Sequence, residues 1–436
     1  MIRAATAAFA AAFWAVPAAA EIEVQEITSP GGVDAWLVEA HEIPFIAMEI
    51  LFEGGANLDR EGKRGSVNLM TALIEEGSGE MSAQEFQLAL ESMAADFGYD
   101  VSDDALSVSA RFLTETREEA VDLLHQSLTE PRFDQDALDR VRAQVVANIR
   151  SRAQDPGDIA ADTFYAMAFG DHPYGSDLSG TLDSVAGLTR EDMLQAFEDT
   201  IVRSRAHVSI VGDITAEEAG LMLDELFEGL PEEGPDLPER IEVALEGGIT
   251  VVDFPSPQSV AFFGHEGMDR DDPDFFAAHI LNEILGGSGR QSILMEEVRE
   301  KRGLTYGVGS YLVPKEHAEL YLGSVASAND RVAEAIEVIR AEWARMAEEG
   351  ISEEQLAEAK TYITGEYPLR FDGNARIANI LVGMQFTGLP ADYIQTRNTQ
   401  MEAVTLEDVN RVATELLKPE ALHFVVVGQP EGLSDS

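Results

Sequence analysis

Leu188-Thr-Arg-Glu-Asp-Met193, followed by His207-Val-Ser-Ile-Val-Gly212, returns near the end of the chain as Val404-Thr-Leu-Glu-Asp-Val409 followed by His423-Phe-Val-Val-Val-Gly428. Each copy reads as a helix capped by Thr189 or Thr405, whose hydroxyl can accept from an amide of the first turn. Each then leads into an apolar strand that opens on His. The two Thr are 216 positions apart, and so are the two His. Glu119-Ala-Val-Asp-Leu-Leu124 matches Glu334-Ala-Ile-Glu-Val-Ile339 at nearly the same offset. One matched helix is chance. Several ordered matches at one offset predict a duplicated domain.

Each half opens with alternating strand-like runs: Trp36–Ala40 and Ala47–Phe52 in the first, Thr250–Phe254 and Ser259–Gly264 in the second. Segments of helical period follow, among them Ser82–Met93, Glu118–Leu128 and Ala137–Ser151. The expected fold is α+β: two homologous domains, each a mostly antiparallel sheet with helices on one face. A chain of 436 residues is long for one core, and two domains suit it. Residues 230–242 are rich in proline and acid and read as a linker. The expected boundaries are 21–229 and 247–436, joined by 230–246.

Met1-Ile2-Arg3, an alanine-rich apolar run to Val16, and Pro17-Ala-Ala-Ala20 form the pattern of an export signal, with cleavage after Ala20. The run is short for a bilayer span, so an uncleaved anchor is the alternative reading. A periplasmic protein, off the membrane once cleaved, is the expectation. The absence of cysteine excludes disulfides, thiolate metal sites and a Cys nucleophile. A net charge of −50 speaks against nucleic acid, which needs a cationic footprint. The charge fits either a solvated acidic surface or a negative chamber that attracts cationic peptides.

The chemistry-bearing stretch runs from Leu285 to Gly307: Leu-Gly-Gly-Ser-Gly-Arg-Gln-Ser-Ile-Leu-Met-Glu-Glu-Val-Arg-Glu-Lys-Arg-Gly-Leu-Thr-Tyr-Gly. The glycine-rich turn Gly286-Gly287-Ser288-Gly289 feeds a short amphipathic helix, Gly303 stops it, and a strand follows. Arg299 falls in the last helical turn and Tyr306 just inside the strand. A guanidinium fork beside a phenol suits a peptide carbonyl or carboxylate. The bland reading is an Arg on a helix dipole and an ordinary strand Tyr.

This motif, with Asn282, Pro257-Gln258 and His172-Pro-Tyr-Gly175, resembles the pitrilysin/insulinase family of zinc peptidases, in its bacterial and mitochondrial-processing-type branch. The likeness covers nearly the whole mature chain. The family's first half carries H-x-x-E-H on a helix, where two His bind zinc and the Glu activates water, plus a distal Glu. Here Gly65-Ser-Val-Asn68-Leu-Met-Thr71-Ala72 stands in that place. The resemblance puts the ligand positions at Asn68 and Ala72, the base position at Thr71 and the distal position at Asn148. None is a competent zinc ligand or carboxylate base. No two His share metal-ligand spacing on one helix, no G-x-S-x-G is present, and the glycine turn lacks a P-loop lysine.

In such a family a peptidase chamber can be shared between a zinc-bearing chain and one that keeps only Arg and Tyr. The resemblance therefore implies a subunit that binds no cofactor itself. Its homologous partner would carry the zinc, and Arg299 and Tyr306 would grip peptide substrates and stabilise the oxyanion. Gly286–Gly289 would flank the cleft. The alternative is a non-catalytic peptide-binding or scaffold protein of the same fold.

Overall fold

The computed structural model describes residues 22–287 and 291–436. The expected export segment, Glu21, and Ser288 and Gly289 of the glycine turn lie outside the described residues. The strands are β1 (Gln25–Thr28), β2 (Asp34–Glu39), β3 (Phe45–Glu53), β4 (Gly77–Ser78), β5 (Met81–Ser82), β6 (Asp96–Val101) and β7 (Ala105–Leu113), then β8 (Ala206–Gly212), β9 (Gly248–Asp253), β10 (Gln258–Glu266), β11 (Thr305–Pro314), β12 (Glu319–Ala328) and β13 (His423–Gly428). They build two main sheets, ordered β1-β2-β8-β3-β7-β6 and β9-β13-β10-β12-β11. Strands β4 and β5 form a separate small ladder.

The duplication is visible strand by strand. From β2 and from β9 onward the two sheets run through equivalent strands, and each has one parallel pair, β2 with β8 and β9 with β13. The remaining pairs are antiparallel. Both repeat helices, Arg190–Thr200 and Leu406–Leu416, start with a full capping box. Thr189 accepts from Asp192 N–H and Thr405 from Asp408 N–H. Each helix then delivers the chain to an interior strand of its sheet, β8 or β13.

Alternation along the strands separates two faces. Ile46, Met48, Ile50 and Phe52 of β3 point into the core made with the first half's own helices. Phe263, Tyr321, Val325 and Phe424 do the same in the second half. The opposite faces are covered by exchange. Helix Pro156–Phe169 of the first half lies on β10 and β13, burying Phe164 and Phe169 against Leu322, Val425 and Val427. Helix Asn374–Phe386 of the second half lies on β3 and β8, burying Ala378 and Leu381 against Ala47 and Val211. Gln385 Nε2 donates to Val208 O at 2.8 Å, and Ser209 Oγ to Ala378 O at 2.6 Å, which fixes that helix to the sheet.

Residues 231–246 contain no helix or strand, yet they are not a loose tether. Ile241 N–H donates to His317 O and Ala244 N–H to Ala168 O, at 2.8 and 2.9 Å. Ile241, Val243 and Leu245 pack on the core around Phe164. His172-Pro-Tyr-Gly175 fastens the same seam. The Tyr174 hydroxyl bonds Asp104 and accepts from His317 N–H, while Lys315 pairs with Asp103 and lies 4.3 Å over the Tyr174 ring.

Candidate functional site

The Arg299–Tyr306 segment is held by a departure from α-helical geometry. Met295–Glu300 is a π-turn, and Lys301 N–H reaches back five residues to Glu296 O at 2.9 Å. Such turns recur at functional sites because they shift the facing of the residues that follow. Gly303, at φ +60°, then closes the helix: its N–H bonds Arg299 O at 2.8 Å and Leu304 N–H bonds Val298 O at 2.9 Å. Arg331 clamps the turn by donating to Gly303 O and Arg302 O. Val298 is fully buried, so its neighbour Arg299 is turned to the surface, with Glu300 Oε1 3.6 Å from Nε.

Beyond the turn the ladder between β11 and β12 slips by one residue. Thr305 faces Ser327 and Val308 faces Val325, leaving Tyr306 and Gly307 opposite Ala326. This is a β-bulge, which re-aims a side chain. Thr305 Oγ1 stabilises it through Gly307 N–H, Gly307 O and Ala326 O. Tyr306 is consequently 87% exposed, the most exposed large hydrophobic side chain among the described residues. Arg299 and Tyr306 are joined through this backbone turn, and no hydrogen bond links their side chains.

Gly286 and Gly287 end helix Phe275–Gly286. A Cβ on Gly286 would lie 2.2 Å from Ser310 Oγ, so glycine permits close contact between this helix and β11. Both glycines line a cavity of about 450 Å³ that also reaches Gly307, next to Tyr306. The structure thus brings the described part of the glycine turn beside the Tyr306 bulge.

Asn68, Thr71 and Ala72 lie on and just after helix Ser66–Thr71. The helix starts under the Asp59 carboxylate, which accepts from Gly65 N–H, Val67 N–H and Ser66 Oγ at 2.6–2.9 Å. Asn68 and Ala72 are one turn apart, with Ala72 N–H on Asn68 O at 3.2 Å. Thr71 is buried and its hydroxyl is engaged by Val67 O. Ala72 is exposed and has no donor atom. Asn148 is exposed on helix Gln135–Arg152, which packs against the shorter helix. These side chains do not fit a zinc ion: they offer no imidazole, no carboxylate and no thiolate. Among the described residues no three metal-ligating side chains converge anywhere, and no helix is long and apolar enough to cross a membrane.

His265, His423 and His172 serve packing. His265 is buried, with Trp343 Nε1–H donating to its Nε2 at 3.0 Å, and burial pushes its pKa down to about 4. His423 is buried between Glu246 O and Thr250 Oγ1. His172 Nδ1 accepts from Tyr174 N–H at 3.2 Å. His207, which opens its repeat strand, sits 2.7 Å from the Glu53 carboxylate. Sequence reasoning missed His279 and Arg397, which line the 450 Å³ cavity. Arg397 lies in no local motif, and the only local signal for His279 is its spacing of four from Glu283.

Residues 36–182 match the model of the insulinase peptidase family M16, and residues 187–363 match that of the M16 inactive domain. A "non-peptidase homolog" of Helicobacter pylori, YmxG, is 25% identical, over 89% of this chain and 90% of its own. An uncharacterized zinc protease of Streptomyces coelicolor is 23% identical, over 90% of this chain and 87% of its own. The crystal structure of an M16 inactive domain from Pseudomonas fluorescens superposes with a TM-score of 0.87 at 27% identity, covering 94% of this chain and 98% of that one.

Proposed function

The chain belongs to the M16, or insulinase, peptidase family, and we propose that within it the protein is a zinc-free subunit completing the site of a homologous, zinc-bearing partner. The observation that carries this reading is Tyr306, a phenol held 87% exposed on a bulge that Thr305 locks in place. Exposing a large aromatic ring gives nothing to folding, and a rigid amphipathic tip is a common anchor at binding surfaces. Arg299, one turn away, adds a planar fork whose protein neighbour is a single exposed carboxylate at 3.6 Å. Together they suit the carbonyl of a bound oligopeptide and the oxyanion formed as water adds to it. The partner's zinc would supply the activated water. Asn68, Thr71, Ala72 and Asn148 remove that capacity from this chain.

Residues 1–20 place the protein in the periplasm in this reading. The test is reconstitution: peptide cleavage by this chain alone, by an M16 chain with intact H-x-x-E-H from the same genome, and by the two mixed. Activity is expected in the mixture alone. A partner fully active by itself sinks the proposal.

A second reading is a peptide-binding or scaffold protein with no catalytic partner. It is favoured by the relative described as a non-peptidase homolog. The same mixture separates the two, because a scaffold leaves the partner's activity unchanged.

A further inference from the structure

The 450 Å³ cavity in the second half is built around a buried cation. Arg397, on helix Tyr393–Ala403, is 7% exposed and lines the cavity. The groups in direct contact with the guanidinium are uncharged, while Arg370 adds a like charge nearby. Nη1 donates to Ile363 O at 3.4 Å and to Asn398 Oδ1 at 3.1 Å, the guanidinium lies 4.3 Å from the centre of the Tyr367 ring, and the Tyr393 hydroxyl is within reach. Among the described residues no carboxylate lies within ion-pair distance of it. A buried charge without a counter-charge is costly, and proteins ordinarily pair it. Arg370, at the cavity wall, is already occupied by Glu366 at 2.9 Å.

The surroundings carry charges of both signs. His279, on the same wall, is pushed down to about 4, by burial first and then by Arg397, Arg270 and Arg370. Glu283 and Glu366, which also line the cavity, oppose this positive field; burial first, and then Glu366, raise the Glu283 pKa. His279 and Glu283 stand four residues apart on the helix after β10, as Asn68 and Ala72 do after β3. That spacing could suggest a metal. No third metal ligand converges among the described residues, and the guanidinium cluster repels a cation.

We infer that this cavity is a carboxylate-binding subsite, in which Arg397 receives the carboxylate of a bound peptide beside the Gly286–Gly287 turn. A planar fork lining a cavity suits a carboxylate on a slender chain. Gly307, exposed and next to Tyr306, lines the cavity, so a peptide seated there lies beside the Tyr306 bulge. The inference concerns this chain alone and does not depend on a zinc-bearing partner.

Calorimetric titration of the purified chain tests it with three probes: N-acetyl-tetraalanine as the free acid, the same peptide amidated, and an amidated analogue with an internal Glu. The free acid is expected to bind at least about tenfold more tightly than the simple amide, the ratio of a charge-assisted bond to a neutral one. Binding of the Glu analogue like the free acid means that the site takes side-chain carboxylates, and weak binding means that it takes C-termini. Folded Arg397→Gln is expected to lose the preference. Gly307→Leu keeps the cation but extends into space with no atom within 4 Å of its Cβ. It carries the test if Arg397→Gln does not fold, and is expected to weaken free-acid binding about tenfold. Equal binding of acid and amide, absence of binding by both, or an unchanged preference in a folded Arg397→Gln protein overturns the inference. Full free-acid binding by Gly307→Leu overturns it as well.

Discussion

Glu49 offers a direct probe of the helix exchange. It lies on β3, on the sheet face covered by helix Asn374–Phe386, and is 8% exposed. Burial raises its carboxyl from 4.5 to about 7, against the opposing Arg111 charge and a hydrogen bond with Asn379 of the donated helix. A carboxyl raised by folding holds its proton more tightly in the native state. Its contribution is therefore complete below the unfolded value and is lost as pH rises through the folded one. With these two values the loss is about 0.8 kcal/mol at pH 5 and about 3 kcal/mol at pH 8. Glu49→Gln keeps the shape and removes the ionisation. The variant should gain about 2 kcal/mol on the parent between those two pH values. Urea unfolding followed by circular dichroism, on both proteins at both pH values, measures the gap while cancelling the other carboxylates. A gap that is the same at pH 5 and pH 8 would refute burial of Glu49 under the donated helix.

Phe164→Ala tests the other half of the exchange. Phe164 is fully buried, with Phe262 of the second half edge-on at 5.2 Å, so the cavity should cost about 3 to 5 kcal/mol in unfolding experiments. A cost under about 1 kcal/mol contradicts the packing. Gly303→Ala adds a Cβ that meets no atom within 4 Å but must adopt φ +60°, so the penalty is conformational, about 1 kcal/mol in the same assay. An alanine variant as stable as the parent shows that the turn does not depend on the left-handed residue.

What was legible in the sequence was local. The Thr189 and Thr405 capping boxes span four residues each, and strand alternation spans a few, so the repeat and the α+β layers could be read directly. Gly303 was legible as a stop because a helix C-terminus favours a left-handed residue. The exchange of helices Pro156–Phe169 and Asn374–Phe386 was not. Both are apolar on more than one side, and nothing local says which sheet they meet. The bulge at Tyr306 depends on register with Ala326, twenty residues on, and the π-turn before Arg299 depends on how Val298 packs. Arg397 stands in the polar run Gln395-Thr-Arg-Asn-Thr-Gln400, so nothing local marks it as buried against Tyr367.

The most direct measurement is the turnover of peptide by the reconstituted pair when this chain carries Arg299→Ala or Tyr306→Phe, with zinc counted in each purified subunit. Zinc is expected in the partner and none stoichiometric here. A fall in kcat of about tenfold to a thousandfold is expected in either variant, the range for one lost oxyanion donor. Unchanged turnover in both variants, with the complex still formed, would contradict a shared site.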